Sequence, residues 1–176
     1  MGKSTILNKL IAPLKFPNKG EIPHGNGVKI ETVPEDATHI RFDVIRSIDR
    51  PLINAEIASQ LDFKVATELD LQIYTLQRRY LDYQVNIANR MIEALQNGNA
   101  PEAQRLSAVK TKFQDMIDRL FAETGKTIIR TANEIRFLQI GEELTPYQLS
   151  SGEKQMLVIL LTVLVEDNKP YLLLMD

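Results

Sequence analysis

Cysteine is absent from this sequence, and it has neither a long hydrophobic run nor a large excess of one charge sign. The missing thiols exclude disulfides and thiolate metal sites, and they are compatible with a reducing cytosol. The longest apolar stretch, 156–165, is about half of the roughly 20 residues that a membrane-spanning helix needs. The first residues also lack the apolar core of a secretory signal. We therefore expect a cytoplasmic protein without a membrane span.

The formal net charge of −2 argues against a strongly basic surface for nucleic acid. A local basic patch could still lie within a balanced total, so nucleic acid stays open as a partner but the charge does not support it. Apolar residues make up 44% of the chain and charged residues 25%, which is ordinary globular composition. The 176 residues suffice for one domain with a sizeable core, or for one domain with an appended helical element.

Three short motifs lie near the two ends of the chain. Gly2-Lys3-Ser4-Thr5 matches the last half of the phosphate-binding loop G-x-x-x-x-G-K-[ST]. Ser150-Ser151-Gly152-Glu153 opens a predicted helix over 153–165, where free backbone N–H groups and the positive end of the helix dipole favour a phosphate. The apolar stretch 171–175 is predicted to be a buried strand, and it ends on Asp176 as the Mg²⁺-binding strand of P-loop enzymes does. The head and the tail of the chain thus point to one nucleotide site.

In this order, the three motifs resemble those of an ABC-class P-loop ATPase. Glu153 after the glycine and the helical stretch between the motifs resemble the soluble branch of that class. This branch includes RecF-like, structural-maintenance-of-chromosomes and overcoming-lysogenization-defect ATPases, whereas transport ATPases more often carry Gln at that place. The resemblance implies ATP binding and ATP hydrolysis coupled to dimer closure, in a setting such as DNA repair or defence.

The resemblance also implies roles for individual residues. After Gly2, Lys3 would reach the β- and γ-phosphates and Thr5 would meet the α-phosphate. Ser4 and Asp176 would hold Mg²⁺, so the implied cofactors are ATP and Mg²⁺. The signature motif would act in trans and cap the γ-phosphate of ATP on a second chain, through Ser150, Ser151, Gly152 and Glu153. A homodimer of the complete protein is therefore expected.

The match to the family is incomplete at both ends. The chain begins inside the phosphate loop and stops at Asp176, before the position of the family's catalytic Glu. No catalytic residue is therefore expected within it, and the chain alone is not expected to hydrolyse ATP. The family's Gln that senses Mg²⁺ and the γ-phosphate has no convincing counterpart near 46–49. We interpret the chain as a fragment of a longer ATPase.

Between the motifs, the sequence pattern predicts a helical hairpin. Apolar residues recur every three or four positions over 54–97, without Gly or Pro, which predicts one long helix. Asn97-Gly98-Asn99 predicts a turn, and Asn99 with Glu102 resembles the capping box of a second helix that runs to Gly125. The hairpin either binds a protein partner or only shields the sheet, and the pattern does not decide between these.

The remaining segments predict an α/β fold, an incomplete P-loop sheet with an antiparallel flank and the inserted hairpin. Residues 1–50 would be the N-terminal part of the ATPase lobe, 51–125 the hairpin, and 126–176 the C-terminal part of the lobe. The first part should hold a helix over 4–11 and strands around 28–32 and 39–45. The last part should hold strands at 127–131 and 134–140 with a turn at Gly141. The core side of the first helix should carry Ile6, Leu7, Leu10 and Ile11.

Two rival functions fit the same residues. The first is a non-catalytic helical interaction module, in which the nucleotide motifs are remnants in a truncated chain. The second is a subunit of a transport ATPase. The flanking DNA would separate them, because a Gly-rich loop upstream and Glu-Pro downstream favour the soluble ATPase, and membrane-protein neighbours favour the transporter.

Overall fold

A computed structural model describes residues 3–14, 41–45, 51, 65–167, 169 and 171–175. The chain divides into two compact units, one formed by residues 1–47 with 168–176 and the other by residues 48–167. The described part has four helices, a small parallel sheet and a small antiparallel sheet. This confirms the α/β class predicted from the sequence, whereas the predicted division into three parts stays a prediction.

Within its described residues, the first unit has one helix and one pair of strands. Helix α1 spans Lys3–Leu14, strand β1 spans Phe42–Ile45, and strand β5 spans Leu172–Met175. β1 and β5 pair in parallel, with Phe42 opposite Leu172 and Ile45 opposite Met175. Parallel strands need a crossover connection, and here that connection contains the whole second unit. The strand predicted around 28–32 lies outside the described residues.

Burial in the first unit differs from the prediction in two places. Leu7 and Ile11, one turn apart on α1, are buried as predicted, but Ile6 is 52% exposed. Ile6 points about 100° away from Leu7 around the helix, so it falls at the edge of the apolar stripe. Strand β5 was predicted to be buried, yet Leu172 and Met175 at its ends are exposed. The apolar composition of 171–175 therefore indicated the strand correctly and its burial wrongly.

The second unit is organised around helix α2, which spans Glu68–Gln96. Its N-cap is Thr67, whose hydroxyl accepts the Asp70 N–H at 3.1 Å while the Asp70 carboxylate accepts the Thr67 N–H at 3.2 Å. The prediction of one unbroken helix from residue 54 is wrong here, because Thr67 has extended backbone angles; 54–64 lies outside the described residues. Val65 is buried and keeps the apolar spacing across the boundary, so periodicity could not reveal the break.

Helix α3, Ala100–Leu120, packs against α2 and confirms the predicted hairpin. Gly98 closes the turn in the left-handed region at φ +69, and the Asn99 side chain accepts the Glu102 N–H at 3.2 Å, as the capping pattern predicted. The two helices run antiparallel, since the short turn at 97–99 joins them and Lys110 Nζ donates to Gln84 Oε1 at 2.6 Å, several turns away from that turn. A short 3₁₀ turn, Ala122–Thr124, follows α3 and ends the hairpin before Gly125.

An antiparallel sheet of three short strands follows the hairpin. Strands β2 (Thr127–Ile128), β3 (Phe137–Gln139) and β4 (Glu142–Leu144) lie in that order. The first two are shorter than predicted, and β4 was not predicted because Glu-Glu-Leu has a weak strand preference. Ile140 and Gly141 form the β3–β4 turn, both at positive φ, in agreement with the turn predicted at Gly141.

Helix α4, Ser151–Glu166, completes the second unit and was predicted at 153–165. Its fully buried positions are Leu157, Val158, Leu161 and Thr162. Ion pairs join α2 to α4 and to the residue that follows it, in the same order along both, at Asp70–Lys154, Arg79–Glu166 and Arg90–Asp167. The two helices therefore run in the same direction. Helix α2 is thus packed against both α3 and α4.

Candidate functional site

The turn that opens α4 is built as a helix cap. Ser150 has extended backbone angles, φ −63 and ψ 159, and is the N-cap of the helix. Its hydroxyl oxygen accepts the Glu153 N–H at 3.4 Å, and its own N–H donates to Glu153 Oε2 at 2.9 Å. These two bonds form a capping box, so the sequence S-x-x-E at 150–153 fixes the start of the helix by itself.

Two backbone N–H groups of this first turn have no acceptor within the helix. The Glu153 N–H is taken up by Ser150 Oγ, and the Lys154 N–H donates to the Ser150 carbonyl at 2.8 Å. The first N–H groups of a helix have no partner within it, which leaves those of Ser151 and Gly152. Both residues are exposed, and a Cβ placed on Gly152 would meet nothing within 4 Å. The turn therefore presents two adjacent N–H groups at the positive end of a 16-residue helix, which suits an anion.

The Glu153 carboxylate is held by groups outside the motif as well as within it. Its Oε1 accepts from Lys126 Nζ at 2.9 Å and from the Thr124 hydroxyl at 2.8 Å. Its Oε2 accepts from the Ser150 hydroxyl at 3.0 Å in addition to the Ser150 N–H. Lys126 and Thr124 come from the segment that links α3 to β2, and no sequence motif predicted their contact with Glu153. Four donors thus hold one carboxylate at the start of α4.

The charge of Glu153 is stabilised by this arrangement. Partial burial alone would raise its pKa, but the hydrogen bonds from Lys126, from the Ser150 N–H and from the Thr124 and Ser150 hydroxyls outweigh burial. The pKa of Glu153 is consequently lowered from 4.5 to about 2. Glu153 is therefore a fixed anion at neutral pH, and Lys126 is its counter-charge.

A second buried contact fixes the same turn to α2. Lys154 Nζ lies 2.7 Å from Asp70 Oδ1, and the two side chains are 9% and 3% exposed. The other oxygen of Asp70 accepts the N–H groups of Ala66 and Thr67. The carboxylate that starts α2 therefore also positions the first turn of α4.

The motif residues of the first unit are described only in part. Helix α1 begins at Lys3, one residue before the predicted start at Ser4, and Thr5 in its first turn is exposed. Strand β5 ends at Met175, directly before Asp176. Gly2, Asp176 and the side chains of Lys3 and Ser4 lie outside the described residues. The predicted joining of these residues with 150–153 in one site stays a prediction.

The described ranges contain neither a metal-binding cluster nor a membrane-spanning helix. Within them, no group of three or more His, Cys, Asp or Glu residues is placed to hold a metal ion. The expected Mg²⁺ ligands, the Ser4 hydroxyl and Asp176, are outside those ranges. None of the described helices is long and apolar enough to cross a membrane.

Comparison with known proteins adds no relative. No family model matches the sequence. A search of curated proteins found no match, and neither did a search of solved structures. The resemblance to ABC-class ATPases therefore rests on the motif residues and on their order along the chain.

Proposed function

We propose that this chain is part of a soluble ABC-class P-loop ATPase, which binds ATP with Mg²⁺ and couples ATP binding and hydrolysis to the closure of a homodimer. The observation that carries the proposal is the turn at 150–153. It places the exposed N–H groups of Ser151 and Gly152 at the positive end of α4, at the motif where the family contacts the γ-phosphate. The same proposal includes the assignment of the sheet to an incomplete P-loop fold.

Two features of the described residues would accommodate a phosphate. The turn at Gly152 has open space where a side chain would stand, so a phosphate can approach the backbone closely. At the other motif, α1 starts directly after Gly2 and exposes Thr5, which fits a phosphate at that helix end. ATP would be held there by Gly2, Lys3, Ser4 and Thr5, with Ser4 and Asp176 as the ligands of Mg²⁺.

The turn at 150–153, here called the signature turn, would contact the ATP that is bound to the partner chain. A phosphate that meets two positive helix ends gains charge-assisted hydrogen bonds from both. If one end belongs to α1 of one chain and the other to α4 of its partner, ATP binding stabilises the dimer by mass action, and loss of the γ-phosphate releases it. The nucleotide supplies the phosphoanhydride chemistry, and the chain's own residues orient and neutralise the phosphates.

A complementation experiment tests the proposal. It uses a protein that carries this chain together with the phosphate-loop and catalytic-Glu segments that the family places on either side. Lys3→Ala and Ser150→Arg should each abolish ATP hydrolysis. Mixed together, they should regain part of the activity, because one site of the mixed dimer carries both lesions and the other carries neither. Ser107→Arg, at an exposed serine on α3, is the matched control and should stay active.

The outcomes separate the proposal from its rivals. Absence of any recovery, with both variants folded and able to pair, would mean that the turn at 150–153 serves its own chain. Absence of ATP hydrolysis in the unmutated protein would favour a non-catalytic helical interaction module. Stimulation of hydrolysis only by a co-expressed membrane protein would favour a transport ATPase.

A further inference from the structure

The signature turn contains an anion of its own, the Glu153 carboxylate. Glu153 follows Gly152 directly in the sequence. A phosphate that approaches the N–H groups of Ser151 and Gly152 must therefore come close to the Glu153 carboxylate. Like charges at short range repel one another, and the repulsion is strong where water is partly excluded. Side-chain exposure of Glu153 is only 11%, so solvent does little to screen it. A counter-charge is therefore needed for the turn to accept a second anion.

Lys126 is the residue that supplies this counter-charge. Its side chain is also 11% exposed, and its Nζ lies 2.9 Å from Glu153 Oε1. Gly125, in the left-handed region at φ +66, turns the chain directly before it, and the Lys126 N–H donates to the Phe121 carbonyl at 3.3 Å. A buried lysine is costly unless it is paired, so its position is set by the carboxylate that it meets.

We propose that Lys126 is a positioning residue of the signature turn, which neutralises Glu153 and holds it aside so that Ser151 and Gly152 can receive the terminal phosphate of a nucleoside triphosphate. This inference rests on the proposed function and adds to it a residue that lies outside the motif. The ligand class is a polyphosphate anion, presented by a second copy of the chain.

The hydrogen bonds of Ser150 would let the turn accept a phosphate without moving Glu153. The Ser150 hydroxyl donates to Oε2 at 3.0 Å, and the Ser150 N–H donates to the same atom at 2.9 Å. When the hydroxyl rotates toward a phosphate, Oε2 keeps the N–H, and Oε1 keeps Lys126 and Thr124. Only one hydrogen bond is exchanged, and the cap of α4 stays in place.

The test measures binding of inorganic tripolyphosphate to the chain through the ¹H–¹⁵N signals of Ser151 and Gly152. Lys126→Met should weaken binding about tenfold, and Lys126→Arg should bind within about twofold of the unmutated chain. The deficit of Lys126→Met should shrink at high salt, because the repulsion is screened. Lys112→Met, at an exposed lysine on α3, controls for the loss of one positive charge elsewhere and should change little.

A double variant separates neutralisation from a merely structural role. Lys126→Met with Glu153→Gln should recover the affinity, because no carboxylate then needs a counter-charge. A structural role predicts no recovery. If Lys126→Met does not fold, Glu153→Gln alone decides, since it leaves Lys126 positive and should bind tripolyphosphate severalfold more tightly.

Four results would overturn the inference. They are normal binding by Lys126→Met, failure of the folded double variant to recover, no tighter binding by Glu153→Gln, and absence of any response of Ser151 and Gly152 in the unmutated chain. The last would show that the turn receives no phosphate by itself. The proposed ATPase function is judged separately by complementation between Lys3→Ala and Ser150→Arg, so the two failures are distinguishable.

Discussion

Lys154 Nζ lies 2.7 Å from Asp70 Oδ1, and this pair joins the first turn of α4 to the first turn of α2. Both side chains are more than nine-tenths buried. Asp70 has a second task, since its other oxygen completes the capping box with Thr67. The starts of α4 and α2 therefore both depend on the Asp70 carboxylate.

Lys154→Met should lower the free energy of unfolding by about 3 kcal/mol, because the Asp70 carboxylate is then buried without its cation. Urea denaturation followed by circular dichroism measures the loss. Lys112→Met, at an exposed position, should stay within about 0.5 kcal/mol of the unmutated chain. Adding Asp70→Asn to Lys154→Met should restore part of the stability. A loss below about 1 kcal/mol for Lys154→Met would show that the pair matters little.

The stability of the second unit should depend on pH through Glu153. The pKa of this group falls from 4.5 to about 2 on folding, so its contribution is fully present above pH 4.5. As the pH falls toward 2, the unfolded chain takes up the proton first, and up to about 3 kcal/mol is lost. Urea titrations at several pH values in this window should show a shallower fall for Glu153→Gln. Equal slopes for both proteins would contradict the assignment.

Ile140 should be replaceable with a gain in stability. It has φ +50 although it is β-branched, and its side chain is 97% exposed, so it gains little from burial. Ile140→Gly should raise the free energy of unfolding by about 1 kcal/mol, and Ile140→Asn should also help, since Asn-Gly suits this turn. Gly141→Ala is the control of opposite sign, because Gly141 has φ +82. A lower melting temperature for Ile140→Gly would mean that the isoleucine makes a stabilising contact.

Fragments should separate the hairpin from the unit that contains it. A fragment of residues 48–167 should unfold cooperatively, because it includes both helices that pack on α2. A fragment of residues 48–125 should keep much of its helix, since its contacts are local, but should melt broadly because α2 loses its packing against α4. Thermal melts by circular dichroism compare the two. A random-coil spectrum for 48–125 would show that the hairpin depends wholly on α4.

Local signals in the sequence predicted the hairpin turn and the start of α3 after Asn99. Asn99 and Ser150 both cap helices, and each is set by residues no more than three positions away. The capping box of Ser150 with Glu153 has the recognisable pattern S-x-x-E, which the prediction of a helix start at 153 did not use. The same kind of signal at Thr67 would have moved the start of α2.

Contacts between distant segments could not be predicted. Lys126 and Glu153 are 27 residues apart, and they meet only because α3, its 3₁₀ turn and α4 pack in one particular way. Neither residue lies in a local sequence pattern that predicts contact with the other. The exposure of Leu172 and Met175 had the same cause, since burial of a strand depends on what covers it. Sequence motifs therefore could not predict that Lys126 neutralises the Glu153 carboxylate.

The parallel pairing of Phe42 with Leu172 sets an order of folding events. The whole second unit lies between these two residues in the chain, and an unfolded connection of that length makes the closure entropically unfavourable. Folding of the second unit first turns most of the connection into a compact body, so the β1–β5 sheet should form last. Pulse-labelled hydrogen exchange should protect the amides of Leu157 and Leu161 before those of Val44 and Leu174. Simultaneous protection would mean that the two units fold as one cooperative body.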